Sequence, residues 1–393
     1  MSTIDLGGAK DEVVLRLAGE DVVIAESYDI DCSFLTQPAA FAIHLGSDVT
    51  AREIAEAYPP RTPFEIRINS RTVQSGLVDG TEISGPPTSV TIHGRDYLQV
   101  IHDAFVRQEK TFTNATFAQL VEGALKDVGY PKATLVFTNT SNRKAITGGN
   151  VNLYSEPKFT AEDRIDSVGG GKLFRTPQSK LGEKWYDFLK RHLDRVGLFL
   201  WNSGQLDAGQ PVFVISEPNP KQAPLYRILN RRGERGEVSV LKYQRGNDAK
   251  PRYSDVAVYA RGGGKSFGRG KAKGLYADTE MEALGYERSL TIRDADCVNE
   301  KQAVYLARRK LAETRRAGKT VSYTVAGHTT TSLRGERVVW AVDTMVDVDD
   351  DETGIHQTMW IEGVHFSRSG STTTTLKLMF PEDLLFGDLG AGA

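Results

Sequence analysis

Cysteine is almost missing from these 393 residues: Cys32 and Cys297 are the only two, and they stand far apart. That excludes a disulfide framework and any C-x-x-C metal or redox motif, and it fits synthesis in a reducing compartment. A dominant charge is missing as well. Forty-nine Lys and Arg face 51 Asp and Glu, a formal charge of −2, so composition alone gives no pull toward nucleic acid or an anionic membrane. No apolar run approaches the roughly 18 residues of a spanning helix. The N-terminus, MSTIDLGGAKDEVV, lacks the succession of charged, apolar and small residues found in a secretory signal. The seven histidines show no H-x-x-x-H or other ligand spacing.

What the chain has in quantity is glycine, 38 residues, together with Thr, Val and Arg, a composition of turns and half-wet strands. From Glu12 to Ile92 apolar residues alternate: Val13, Leu15, Leu17; Phe41, Ile43, Leu45; Phe64, Ile66, Ile68; Val90, Ile92. Period two predicts strands of an antiparallel sheet or barrel, with turns at Ala18-Gly19 and Asp79-Gly80 and one short helix over 49–58 stopped by Pro59-Pro60. From Gly94 the period becomes helical, with Tyr97, Val100, Ile101 and Phe105 on one face. A second helix opens at Thr116 and ends at Gly129-Tyr130-Pro131. Residues 138–182 read as long polar loops. The helix EKWYDFLKRHLDRVG puts Trp185, Phe188, Leu189, Leu193 and Val196 on one side, and a strand pair follows it. The last stretch reads as the strand SDVAVYARG, a Gly-rich loop, an Arg-rich helix and strands near 321–325, 338–342, 359–364 and 373–379. The expected organisation is four units, 1–93, 94–180, 181–252 and 253–393, in a β-rich α+β multidomain chain.

Four stretches carry a chemical look. RGGGKSFGRGKAKG, residues 261–274, contains Gly-Lys-Ser, but a phosphate-binding loop needs glycine where Tyr259 stands, and no helix follows. Gly264-Lys265-Ser266-Phe267-Gly268 fits G-x-S-x-G, with His328, His356 and His365 later in the chain. A nucleophile elbow needs a strand-to-helix turn in a parallel sheet, and the surroundings read as antiparallel, so Ser266 is expected in a glycine-rich loop. The run Asp347 to Gly354 puts Glu352 and Thr358 where a calcium loop needs Gly and Glu, and reads as a solvated hairpin tip. Arg308, Arg309, Lys310, Arg315, Arg316 and Lys319 form a basic stripe without interleaved aromatics. It reads as a solvated face or one half of an interface, with the acidic tip as its counterpart in an oligomer. His102 and His192 fall in helices and read as surface or packed residues. No catalytic, cofactor or metal residue is assigned, and no enzyme activity is expected.

The order of elements is itself informative. TIHGRDYLQVIHDAF, TFAQLVEGALKDVGY, the KWYDFLKRHLDRVG helix with its hairpin, RSLTIRDADCVNEKQAVYLARRKLAETRRAGKTVSYTVAGH and the closing RVVWAVDTMV…FPEDL follow one another over roughly 300 residues. Together they resemble the baseplate hub proteins of contractile-tailed phages, the Mu-like hub and late-control D group, related to the hub part of type VI secretion spike proteins. The resemblance implies a homotrimer whose subunits each supply two β-barrel tube domains, giving a trimeric ring around a DNA channel. It implies a structural symmetry adaptor between a six-fold tail tube or distal tail protein and a three-fold central spike protein. A tape-measure protein is a further partner, DNA is only passing cargo, and the location is the virion tail after synthesis in the host cytoplasm. The stop after PEDLLFGDLGAGA, without a needle-like repeat, is read against a secretion-system spike hub.

Overall fold

The computed structural model describes residues 11–23, 27–45, 53, 56–85, 89–112, 117–130, 133–138, 177–195, 198–216, 218–232, 234–235, 238–260, 273–294 and 300–384. The first part of the chain forms β1 (Val13–Leu17), β2 (Glu20–Val23), β3 (Ser27–Ser33), β4 (Ala40–Leu45), β5 (Pro63–Ile68), β6 (Arg71–Ser84) and β7 (Ser89–Asp96). Every alternating apolar residue named for this region is buried and faces one core. Ala18 (φ 49°) and Gly19 (φ 94°) make the β1–β2 turn, two residues with positive φ as a tight hairpin requires. Asp79-Gly80 is not a turn. It lies inside β6, where a bulge between Val78 and Gly80 lets Asp79 meet Arg95 of the neighbouring β7 at 2.7 Å. The turn into β6 is Asn69-Ser70, both at positive φ. Of the helix expected over 49–58, Glu53, Glu56 and Ala57 are helical, and most of the rest lies outside the described residues.

The middle of the chain supplies α1 (Gln99–His102), α2 (Phe117–Asp127), β8 (Thr134–Thr138), α3 (Trp185–Arg195), β9 (Phe199–Asp207) and β10 (Gln210–Ser216). The helical stretch after Gly94 is shorter than its period suggests. β7 continues to Asp96, α1 is one turn long, and Phe105 ends 54% exposed. Gly129, at φ 75°, closes α2, and Tyr130 N–H reaches back to the Leu125 carbonyl at 2.9 Å. The Ala208-Gly209 turn joins β9 to β10, and β8 adds in parallel to β10. The inward faces of α1, α2 and α3 share one core with β9 and β10, centred on Trp185, Phe188 and Phe213. The boundary drawn at 180–181 therefore falls between elements that pack together.

The last part comprises β11 (Tyr226–Arg231), β12 (Glu234–Arg235), β13 (Val240–Asn247), β14 (Asp255–Ala260), β15 (Lys273–Ala277), α4 (Thr279–Ala283), β16 (Ser289–Asp294), α5 (Glu300–Gly318) and β17 (Lys319–Ala326). After these come β18 (Thr329–Thr331), β19 (Arg337–Val339), β20 (Met345–Asp350), β21 (Ile355–Ser369) and β22 (Ser371–Met379). β14, β15 and β16 form a small sheet under α5, closed by Val256, Val258, Ala303, Ala307 and Leu311. Gly274, read as loop, sits in β15, where a Cβ would stand 2.0 Å from the Ala303 backbone carbon; the glycine lets the strand lie against α5.

The chain is β-rich, with few helices and one dominant, mainly antiparallel sheet of fourteen strands. Seven come from the first part, β1 to β7, and seven from the last: β11, β12, β13, β17, β20, β21 and β22. The two sets join where β3 pairs with β21 in register Tyr28↔Arg368 to Ser33↔Gly363. Their apolar faces form one core, from Leu15 and Ile66 to Tyr323 and Leu376. Among the described residues no sheet closes on itself into a barrel.

Candidate functional site

The described residues with a catalytic look are each engaged with structural partners of their own. Ser266 and the rest of 261–272 lie outside the described residues, as do 139–176 and Cys297. Each of the three later histidines has its own structural partners. His328 is fully buried, with Nε2 2.7 Å from the Tyr28 hydroxyl and Nδ1 2.9 Å from Thr374 Oγ1. Burial lowers its pKa to about 4, so the ring is neutral in the folded protein. His356 Nδ1 lies 2.7 Å from Asp349. His365 lies 2.8 Å from Asp31 and 3.2 Å from Asp29, and these acids, Asp31 above all, raise its pKa. Burial pushes the Cys32 thiol up to about 12, far from a reactive thiolate. Of the helical histidines, His102 pairs with Asp103 at 3.0 Å, and His192 is buried edge-on against Phe188.

The acidic run is a hairpin tip, but not a solvated one throughout. Asp347 to Asp350 belong to β20, and the turn occupies 351–354. Asp350 is fully buried and accepts hydrogen bonds from Tyr323 Oη (2.7 Å), Thr353 Oγ1 (2.6 Å), Asn230 Nδ2 (2.8 Å) and Glu352 N–H (3.0 Å). These donors hold its pKa down against the burial that would raise it. Among the described residues no group of three or more His, Cys, Asp or Glu could hold a metal ion. No described helix is long and apolar enough to cross a membrane.

The basic stripe of α5 has acidic partners inside the chain. Arg309 reaches Asp194 of α3 at 2.8 Å, Arg315 reaches Asp383 at 2.9 Å, and Lys319 reaches Glu280 at 3.1 Å. Lys310 pairs with Glu313, while Arg308 lies over the Tyr276 ring. Arg316 donates to the Asp383 carbonyl at 3.3 Å, and burial, then Arg309, lowers its pKa to about 10. The centre of the network is Arg252, 1% exposed, with Asp278 at 2.8 Å and Glu280 at 3.1 Å. Arg252 first, against burial, then Lys319 draw Glu280 down to about 2. The tip meets other cations: Arg231 pairs with Asp349, Arg232 reaches Glu352 at 3.4 Å, and Arg245 donates to the Thr353 carbonyl at 2.6 Å. Apart from Lys310–Glu313, three residues apart on α5, sequence spacing carried no sign of these pairs, because the acids come from distant elements.

What the fold leaves open is surface. A cleft of about 350 Å³ lies between β6, β9 and the 334–344 segment, lined by Arg71, Trp201, Gln205, Asn219, Arg334 and Trp340 among others. Elsewhere the open features are strand edges. Among the described residues β13 pairs only with β17, and Leu241 and Tyr243 are exposed on it. In the small sheet Leu275 is exposed on β15, and β16 alternates exposed with half-buried residues. Open edges that carry large apolar side chains suit assembly with other chains better than chemistry on a small molecule.

No family model matches the sequence, and no match is found among curated proteins. Solved structures do match. A tail protein from Neisseria meningitidis MC58 aligns with TM-score 0.71 at 20% identity, over 94% of this chain and 96% of its own. The 43 kDa tail protein of prophage MuSo2 from Shewanella oneidensis aligns with TM-score 0.69 at 19% identity, over 95% and 99%. The E. coli c3393 protein, a component of the type VI secretion system with structural similarity to T4 tail proteins gp27 and gp5, aligns with TM-score 0.51 at 12% identity, over 95% and 75%. This chain has the fold of those tail and secretion-system proteins over nearly its whole length, as the resemblance in its sequence led one to expect.

Proposed function

We propose that the protein is a structural baseplate hub of a phage tail, a homotrimer that adapts a six-fold tail tube to a three-fold central spike. Each seven-stranded set acts as one β-barrel tube domain, the first from residues 1–93 and the second from 253–393 with β11 to β13 added. Three copies then present six such units around the channel through which DNA passes. The elements of 94–180, and those of 181–252 other than β11 to β13, form the connector. The partners are further copies of itself, the spike protein, the tube or distal tail protein and a tape-measure protein, and the place is the virion. The protein works through interfaces, and no enzymatic role is assigned to it, Ser266 included.

The observation that carries this reading is the end-to-end likeness to tail proteins, joined to open, partly apolar strand edges and to polar clusters that are satisfied internally. A second reading, a hub component of a tail-like injection or secretion particle, draws on the likeness to c3393. The test is the native mass of the purified protein, alone and mixed with its spike protein. Three times the 43.2 kDa chain mass, sharpened by the spike, is expected. A monomer in both conditions overturns the reading. Turnover of an activated ester, lost on Ser266→Ala, would instead support a hydrolase.

A further inference from the structure

The dominant sheet has ends, and the chemistry of those ends differs. We propose that the outer edge of β13 in one copy docks on the outer edge of β2 in the next, so that the sheets of three copies join into one closed ring. The proposal rests on the homotrimer reading above and names the contact that builds it.

β13 pairs with β17 alone, so its other edge has no backbone partner among the described residues. From Leu241 to Arg245 every residue is exposed. Tyr243 stands opposite Tyr323 and Arg245 opposite Val321, and directly opposed residues share a face of the sheet. Tyr323 and Val321 are buried in the core, whereas Tyr243 is 43% exposed. The core face thus runs outward to a margin that is held at Arg245 by the Thr353 carbonyl and left exposed at Tyr243. A strand edge meant to stay alone is blunted by lysine, a bulge or brevity. β13 has Lys242 and a bulge between Val240 and Lys242, but it is eight residues long and carries Leu241 and Tyr243 beside them. That combination discourages indiscriminate pairing and favours a partner strand that brings negative charge.

The far end of the same sheet supplies such a strand. Among the described residues β2 pairs with β1 alone, and it reads Glu-Asp-Val-Val, acids with no base. β13 reads Val-Leu-Lys-Tyr-Gln-Arg-Gly-Asn, bases with no acid. Glu20 accepts from the Tyr58 hydroxyl at 2.8 Å and Asp21 from Arg16 at 2.7 Å, which leaves each carboxylate further acceptor positions. Other open edges among the described residues include β11 before Asn230, beside the two-residue β12, and β6 beyond Leu77. A contact between two different patches of one chain is heterologous, and such contacts end only by closing into a ring. A ring of three leaves neither the β13 edge nor the β2 edge open.

The test is a charge swap read by native mass, with thermal melting as the check that each variant folds. Lys242→Glu alone and Glu20→Lys alone are each expected to weaken association by at least roughly tenfold and give monomer where the wild type is trimer. The double variant Lys242→Glu/Glu20→Lys restores opposite charges across the contact and is expected to recover the trimer. A trimeric wild type whose single variants are equally trimeric overturns this contact and leaves the hub reading standing. Single variants that dissociate without recovery in the double variant also overturn it, because the two ends then do not face each other. A wild type that is monomeric, with and without spike protein, removes the hub reading itself.

Discussion

The β3–β21 junction and the β13 margin belong to one sheet, yet the first is finished inside the chain and the second is not. At the junction, strands more than 300 residues apart pair directly. Their polar groups find partners across the divide: Tyr28 with His328, and His365 with Asp31. At the margin, Leu241, Lys242 and Tyr243 stand exposed along a strand with one free edge. The α5 network resembles the junction in this respect, since its cations are matched by acids from α3, α4 and the 381–383 turn. Buried charge here serves the fold, and the exposed margin is where the proposed contact between copies would form.

That contrast can be broken most severely at Arg252. Arg252→Ala leaves Asp278 buried beside Arg315 at 3.6 Å as its nearest remaining cation, and about 3 kcal/mol of stability should be lost in denaturant unfolding. Gly274→Ala drives a Cβ into the α5 backbone and should cost about 2 kcal/mol by the same measurement. Tyr28→Phe removes one partner of a buried histidine at the junction, with an expected loss of about 1 kcal/mol.

The junction also makes a pH prediction of two opposite signs. His365 has a raised folded-state pKa, so its contribution is complete below its ordinary value of 6.5 and fades as pH rises through the folded value. His328 has a depressed folded-state pKa of about 4, so its neutral burial is stabilising above 6.5, and that stability is lost as pH falls from 6.5 toward 4. Melting His365→Gln and the wild type at pH 5.5 and pH 8 should show the gap between them narrowing at the higher pH. A gap that widens there would contradict the assignment. The smallest effect belongs to the exposed tip. Arg232→Ala removes a 3.4 Å pair with Glu352 at an 83% exposed side chain and should change stability by less than about 0.5 kcal/mol.

Local structure was legible in the sequence wherever one residue decides it. The alternation through Leu15, Ile43 and Ile66 marked strands with one buried face, and the Trp185, Phe188 and Leu193 stripe marked α3. Ala18-Gly19 could be placed because a tight hairpin demands positive φ. Asp79-Gly80 carries the same kind of signature and is a bulge, because its context is a fourteen-residue strand. Pairings at a distance left no such mark. The β3–β21 register, the parallel additions of β8 to β10 and β11 to β20, and the acids that meet α5 depend on tertiary placement. β20 was hidden because Asp-Val-Asp-Asp-Asp reads as solvated, although Asp350 is fully buried among four donors. The β13 edge could be seen only once β17 was found to be its sole partner among the described residues.

The central claim is a threefold assembly around a channel, and the most direct measurement is an image of the purified native protein viewed down its axis. The account predicts a ring with three-fold symmetry and an open centre, its rim built from six similar lobes. Compact single particles of one 43.2 kDa chain, unchanged when the spike protein is added, would contradict it.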